Sequence, residues 1–257
     1  MKITFVGASS GKTSLNQFHS SLLVSSQGYN LLIDAGDGIS RALLSGKIGY
    51  DSIDGIIFTH LHPDHFAGFP GLIVQMKFIK REKPLDIFIH KSLKDIVEES
   101  LLRSYLFPER IKFKFNYVTF NDDELKIVAD NFSFVAKKNS HLDKLQKYSA
   151  DHRSISLYSA SLRFEVEGKK IIYTSDIGSV EDIFLFNDKL SEVFICEANH
   201  IEPTKIIEVL GKVEASKIYL THYSENDFSK LNEILSTLDT VARNRILFAN
   251  DGLSLEI

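Results

Sequence analysis

The sequence predicts a layered α/β fold, and three observations predict it. Short apolar runs alternate with amphipathic helical stretches in the first and last thirds of the chain; a block of period-two segments lies between them; and one apolar run after another ends in a histidine or an aspartate. In layered α/β folds the carboxyl ends of strands converge on a ligand crevice, so the third observation joins fold to function. The chain has 257 residues, enough for a large core, and no linker or short-period repeat divides it, so a single domain over residues 1–257 is expected.

Each element has a local signature. Residues 1–6 form a first strand, followed by the loop Gly7-Ala8-Ser9-Ser10-Gly11-Lys12-Thr13. That loop looks like a phosphate-binding P-loop but is one residue short, and strands at residues 20–24 and 31–33 follow it where a P-loop needs a helix. A short helix with Ile39, Ala42 and Leu43 inward comes next, then a strand at residues 56–59 and a helix with Leu72, Met76 and Ile79 on one face. Residues 85–89 are a strand, and Ser92 caps a helix carrying Leu93, Ile96, Val97 and Leu101.

Between residues 110 and 136 the period changes to two. Ile111, Phe113 and Phe115 alternate with Lys112 and Lys114, and residues 132–136 are a further extended run, so these are sheet strands with one wet face. The polar residues 143–158, with His152 and Arg153, read as an inserted loop. A hairpin joins residues 162–166 to 170–174 through Glu167-Gly168. Alternation then returns with a Ser179/Asp182 capping box, a strand at residues 193–196, and a helix opened by Pro203 with Ile206, Ile207 and Leu210 inward. A strand at residues 217–220, a helix with Phe228, Leu231, Leu235 and Leu238, and a hairpin of residues 246–248 and 253–257 around Asn250-Asp251-Gly252 complete the chain.

Composition narrows the function. A net charge of −4 argues against a global attraction to nucleic acid, and the basic stretches at residues 77–81 and 112–114 read as solvated faces. The single cysteine, Cys196, lies in an apolar run and reads as a buried strand thiol, which leaves no internal disulfide. No window approaches about 18 uninterrupted apolar residues, so no membrane span is expected and the default location is the cytoplasm.

The chemistry concentrates in Thr59-His60-Leu61-His62-Pro63-Asp64-His65, directly after an apolar run. His60 and His62, two apart in an extended segment, can face one ion. Pro63 then opens a helix that turns Asp64 and His65 toward a second. Asp34, His90, His141, Asp176 and His222 end, or lie just past, other strands. The motif at 59–65, the upstream Asp34-Ala35-Gly36, a histidine closing a middle strand, Tyr173-Thr174-Ser175-Asp176 and Leu220-Thr221-His222 together resemble the metallo-β-lactamase fold hydrolases. The resemblance spans nearly the whole chain and implies a four-layer αβ/βα sandwich, two mixed β-sheets with helices on the outer faces.

It also implies a site. His60, His62 and a mid-chain histidine would hold one divalent metal ion, Asp64, His65 and His222 a second, and Asp176 would bridge them. Asp34 would hold a ligand histidine in place. His141, a short exit past the strand at 132–136, is taken as the mid-chain ligand over His152. Zinc suits these ligands, with manganese or iron(II) as alternatives. Asp64 and His200 are the candidate catalytic residues: His200 would donate a proton to a leaving group or hold a substrate phosphate, a surface histidine at a helix entry being the other reading, with Glu197 capping or orienting.

Within the superfamily the Gly7-Ala8-Ser9-Ser10 loop, Asp34-Ala35-Gly36-Asp37-Gly38 and Leu220-Thr221-His222-Tyr223-Ser224 look most like the phosphodiesterase branch that includes ribonuclease Z, although the sequence has no Gly/Pro-rich arm of the kind that clamps tRNA. The implied function is a dinuclear hydrolase of phosphodiesters using metal-bound hydroxide. A lactone or thioester hydrolase on the same metals and a non-enzymatic metal-binding or sensing module are the alternatives. The expected partners are a phosphodiester or other small hydrolysable substrate, RNA as a further candidate, no membrane, and a second copy of the chain as a candidate homodimer.

Overall fold

Leu31, Leu32 and Ile33 are all buried, as befits an apolar strand covered on both faces, and the elements of the first half assemble around them. In the computed structural model, which describes residues 1–152, 155–186 and 190–257, the chain forms two compact units. The first comprises Met1–Gly7, Thr13–Asn121 and Asp251–Ile257, the second Ala8–Lys12 and Asp122–Asn250. Residues 153–154 of the polar loop, Arg153 among them, lie outside the described residues.

The first unit contains β1 (Lys2–Gly7), β2 (Ser21–Ser26), β3 (Tyr29–Ile33), α1 (Ile39–Ser45), β4 (Gly55–Ile57), α2 (Pro63–Phe66), α3 (Phe69–Phe78), β5 (Leu85–His90), α4 (Lys94–Arg103) and β6 (Phe115–Phe120). With the closing strand Ser254–Glu256 they make a seven-stranded sheet in the order closing strand, β1, β2, β3, β4, β5, β6. Pairing is antiparallel up to β3 and parallel from β3 to β6. Each parallel step requires a crossover, which α1, the α2–α3 pair and α4 supply in turn. The carboxyl ends of β3, β4 and β5 therefore lie side by side, and they carry Asp34, Thr59 with His60, and His90.

The second unit contains β7 (Lys126–Ala129), β8 (Phe132–Lys138), β9 (Ala160–Val166), β10 (Lys169–Tyr173), β11 (Ser191–Glu197), α5 (Pro203–Leu210), β12 (Ala215–Thr221), α6 (Glu225–Ser236), α7 (Thr240–Arg245) and β13 (Ile246–Phe248). Its seven-stranded sheet runs β13, β12, β11, β10, β9, β8, β7, antiparallel from β7 to β10 and parallel from β10 to β13. Phe194, Cys196, Ile218 and Leu220 on the sheet bury against Ile206, Ile207 and Leu210 of α5 and Leu231 and Leu235 of α6. Ser179 and Asp182 do form a capping box, which opens a short 3-10 segment. The Cys196 thiol is buried, and burial pushes its pKa up, which keeps it protonated.

Four expectations are corrected. Ile246–Phe248 and the closing strand, here β14, are not a hairpin: β13 pairs with β12 and β14 with β1. Helix α7 delivers β13 as one more parallel strand, while Asp251-Gly252-Leu253 is drawn to β1 by bonds from Gly252 N to Phe5 O and from Phe5 N to Leu253 O. Residues 111–114 precede strand β6 rather than joining it; their alternation is real burial, because Phe113 lies under the Arg81 guanidinium at 5.5 Å. Arg81 is not part of a solvated face. It is buried and donates to the carbonyls of Lys83 and Pro84 at 2.7 Å each and of Tyr50 at 3.3 Å. Ser92 does not cap α4, since its hydroxyl is held 2.8 Å from His90 Nδ1.

Candidate metal centre

The ligand-type residues of the first unit are fixed from behind. Phe58 is fully buried and packs edge-on against Phe66 at 5.2 Å and Phe69 at 5.0 Å, contacts of about 0.5–1.5 kcal/mol each beyond burial, so the segment after β4 starts from an anchored point. Pro63 takes the first position of α2, as its fixed φ and missing N–H favour. Gly36 allows the chain after β3 to touch this helix: a Cβ there would lie 1.8 Å from the Asp64 carbonyl oxygen.

Asp34 organises the cluster. It is fully buried with φ 62°, a backbone conformation aspartate tolerates better than most residues. Its carboxylate accepts from Thr59 N and Thr59 Oγ1 at 2.8 Å each and sits 2.8 Å from His65 Nδ1. Burial raises the Asp34 pKa, and the His65 ring and the Thr59 donors pull against that rise. The Thr59 hydroxyl has one proton and gives it to Asp34, so its 3.1 Å contact with His60 Nδ1 is donated by the ring. Both His60 and His65 thereby carry their proton on Nδ1 and present Nε2, the nitrogen needed for a metal. The rings gather accordingly: His60 lies 4.2 Å from His65 and 4.8 Å from His62, and His65 Nε2 is 3.5 Å from Asp64 Oδ2.

In the second unit the centre is Asp176, on the loop after β10. Its Oδ2 lies 3.6 Å from His141 Nε2 and 3.9 Å from His200 Nε2, and its Oδ1 lies 3.5 Å from His222 Nε2. The Asp176, His141 and His222 side chains are all less than a tenth exposed, while His200 is about one-third exposed. His222, just past β12, has φ 54°, and Ser175, before Asp176, has φ 52°; such backbone strain is tolerated where the surroundings over-determine it. The early Gly/Ser loop contributes here as an acceptor, because His222 N donates to Ala8 O at 2.7 Å. His152 is exposed at the end of a 3-10 segment.

Glu197 does more than sequence reasoning gave it. It is fully buried at the end of β11, and its carboxylate accepts from Asn199 N at 2.6 Å, His200 N at 3.1 Å and Ile177 N at 3.3 Å, with His200 Nδ1 at 3.2 Å. It therefore ties the loop of Asp176 to His200. Glu197, His200 and His222 also form a three-residue group with ligand atoms within 4.8 Å of one another. A buried acid at a strand end was the available signal.

The donors fit divalent cations: imidazole nitrogens turned outward by Nδ1 partners, and a carboxylate whose two oxygens face different histidines. Among the described residues no helix is long and apolar enough to cross a membrane.

A family model described as Anti-Pycsar protein Apyc1 matches residues 1–244. The chain is 26% identical to a Ribonuclease Z of Archaeoglobus fulgidus, over 100% of the chain and 97% of that protein. It is 24% identical to an Anti-Pycsar protein Apyc1 of Bacillus phage BSP38, over 88% of the chain and 90% of that protein. Among solved structures, the metallo-β-lactamase fold protein YhfI of Bacillus subtilis superposes with a TM-score of 0.73 at 19% identity, covering 99% of each chain. The fold is the metallo-β-lactamase fold, and the expected kinship with its ribonuclease Z-like branch holds.

Proposed function

The chain belongs to the family described as Anti-Pycsar protein Apyc1, and from that premise we propose that this metal-dependent hydrolase is a dinuclear phosphodiesterase, working as one domain over residues 1–257. The observation that carries the proposal is Asp176, whose Oδ2 faces His141 and whose Oδ1 faces His222, the disposition of a carboxylate that bridges two cations. In this reading, as the sequence resemblance implies, His60, His62 and His141 would hold one ion, and Asp64, His65 and His222 the other. Two divalent cations, zinc by preference for these ligands, would supply water made acidic enough to attack near neutral pH and charge to offset that on the phosphoryl oxygens.

The side chains of this protein do the rest. Thr59 and Asp34 hold His60 and His65 with Nε2 forward. Glu197 keeps the His200 Nδ1 proton engaged, which leaves His200 Nε2 to deliver a proton to the departing oxygen. Asp64 would be a carboxylate ligand of the second ion. Ribonuclease Z relatives support a phosphodiester, with RNA or a smaller nucleotide as its source.

A panel of bis-p-nitrophenyl phosphate, a lactone and a thioester tests the reading. Chelator-sensitive hydrolysis of the phosphodiester, restored by zinc, is expected; turnover of the lactone or thioester alone would reject it. Asp34→Asn tests the ligand-holding step: zinc affinity, read by chelator competition, should weaken by about 10–100-fold, the usual effect of removing a partner that orients a ligand. Unchanged affinity would show that His65 needs no such partner.

A further inference from the structure

Two residues outside the ligand set join the loops that carry His141 and Asp176. Asn139 is buried, and its Nδ2 donates to Asp176 O at 2.9 Å, Thr174 O at 3.3 Å and Ser161 Oγ at 3.3 Å, while its Oδ1 accepts from His141 N at 3.3 Å. One amide thus spans the backbones of both ligands. Asp182 is also buried. It serves as more than a helix cap: besides Ser179 N at 3.3 Å, its carboxylate accepts from Gly178 N at 2.9 Å, Ser140 Oγ at 2.7 Å and Ser140 N at 3.1 Å. Ser140 precedes His141 and Gly178 follows Asp176 by two residues. The loops touch so closely that a Cβ on Gly178 would lie 2.3 Å from Ser140 O.

We propose that Asn139 and Asp182 are positioning residues that clamp the His141 loop to the Asp176 loop, so that His141 Nε2 and Asp176 Oδ2 are set for one cation before it arrives. The proposal rests on the metal-ligand reading above. The clamp is needed because both ligands sit on loops past the ends of β8 and β10, where the ladder no longer fixes their separation. Each bond lost would let the ligand pair spread, and affinity for the shared ion would fall while the core stayed folded.

The test compares Asp182→Ala, Asp182→Asn and Ser140→Ala in the full chain with Asp239→Ala, which removes the cap of α7 and its bonds to Val241 N and Ala242 N. Zinc is titrated into each metal-free protein by chelator competition, and the melting temperature of the metal-free form is taken alongside. Asp182→Ala is expected to weaken zinc binding by roughly 10–100-fold, the range seen when ligand-orienting partners are lost. Ser140→Ala should move it less, and Asp182→Asn, which keeps an acceptor oxygen for Gly178 and Ser140, should recover part of the loss. Asp239→Ala should lower the melting temperature without changing zinc affinity. Wild-type protein that takes up no zinc would overturn the ligand reading beneath the proposal. Wild-type uptake with unaltered affinity in Asp182→Ala, or an Asp182→Asn no better than alanine, would overturn the clamp alone.

Discussion

Replacing Asp176 with asparagine is expected to remove bound metal and to lower phosphodiester turnover on the order of a thousandfold or more. The substitution keeps the volume and one oxygen but deletes the charge with which two oxygens would serve two cations in the proposed site. At present Oδ2 is 3.6 Å from His141 Nε2 and Oδ1 is 3.5 Å from His222 Nε2, so an amide can satisfy one side only and must present N–H protons to the other. Metal-derived stabilisation of the transition state amounts to several kcal/mol, and each ~1.36 kcal/mol is a factor of ten in rate. The fold should survive, because without metal the variant relieves a buried carboxylate of its desolvation cost. Elemental analysis, turnover and the metal-free melting temperature together check this. Two ions per chain with near-wild-type turnover would refute the bridging role.

Much of the candidate site was legible in the sequence because its densest part is local. Four ligand-type residues at 59–65 follow a buried apolar run, and the proline between them sets the helix that turns the last two. The remaining members were readable only as strand ends, which works because parallel strands align their carboxyl ends. What escaped were contacts between distant residues. Asp182 is 42 positions from Ser140, and Glu197 is 20 from Ile177, so neither bond leaves a local period or spacing. Arg81 shows the converse failure. Its neighbours Lys77, in the last turn of α3, and Lys80, just past it, are exposed, but the guanidinium turns inward because four carbonyl oxygens left by the surrounding loops need a donor. The closing segment misled for a similar reason: a turn sequence such as Asn250-Asp251-Gly252 allows a reversal but does not choose which strand each arm will pair with.

The second large effect concerns His200. Its replacement by alanine is expected to cut kcat about 10²–10⁴-fold for a phosphodiester whose leaving group is an alkoxide, the usual contribution of a positioned general acid. With p-nitrophenolate as leaving group the loss should shrink to about tenfold or less, since that anion departs without a proton. The geometry gives the reason for expecting this split. His200 Nδ1 is engaged by buried Glu197 at 3.2 Å, and the same carboxylate accepts from Asn199 N and His200 N, so ring and backbone are held together while Nε2 points toward Asp176, 3.9 Å away. Glu197→Gln should fall between wild type and His200→Ala, because the amide oxygen keeps the backbone donors but no longer offsets the charge of a doubly protonated ring. If His200→Ala slows both substrates equally, the residue holds the phosphate rather than protonating the leaving oxygen, and Glu197 would then serve only to build the loop.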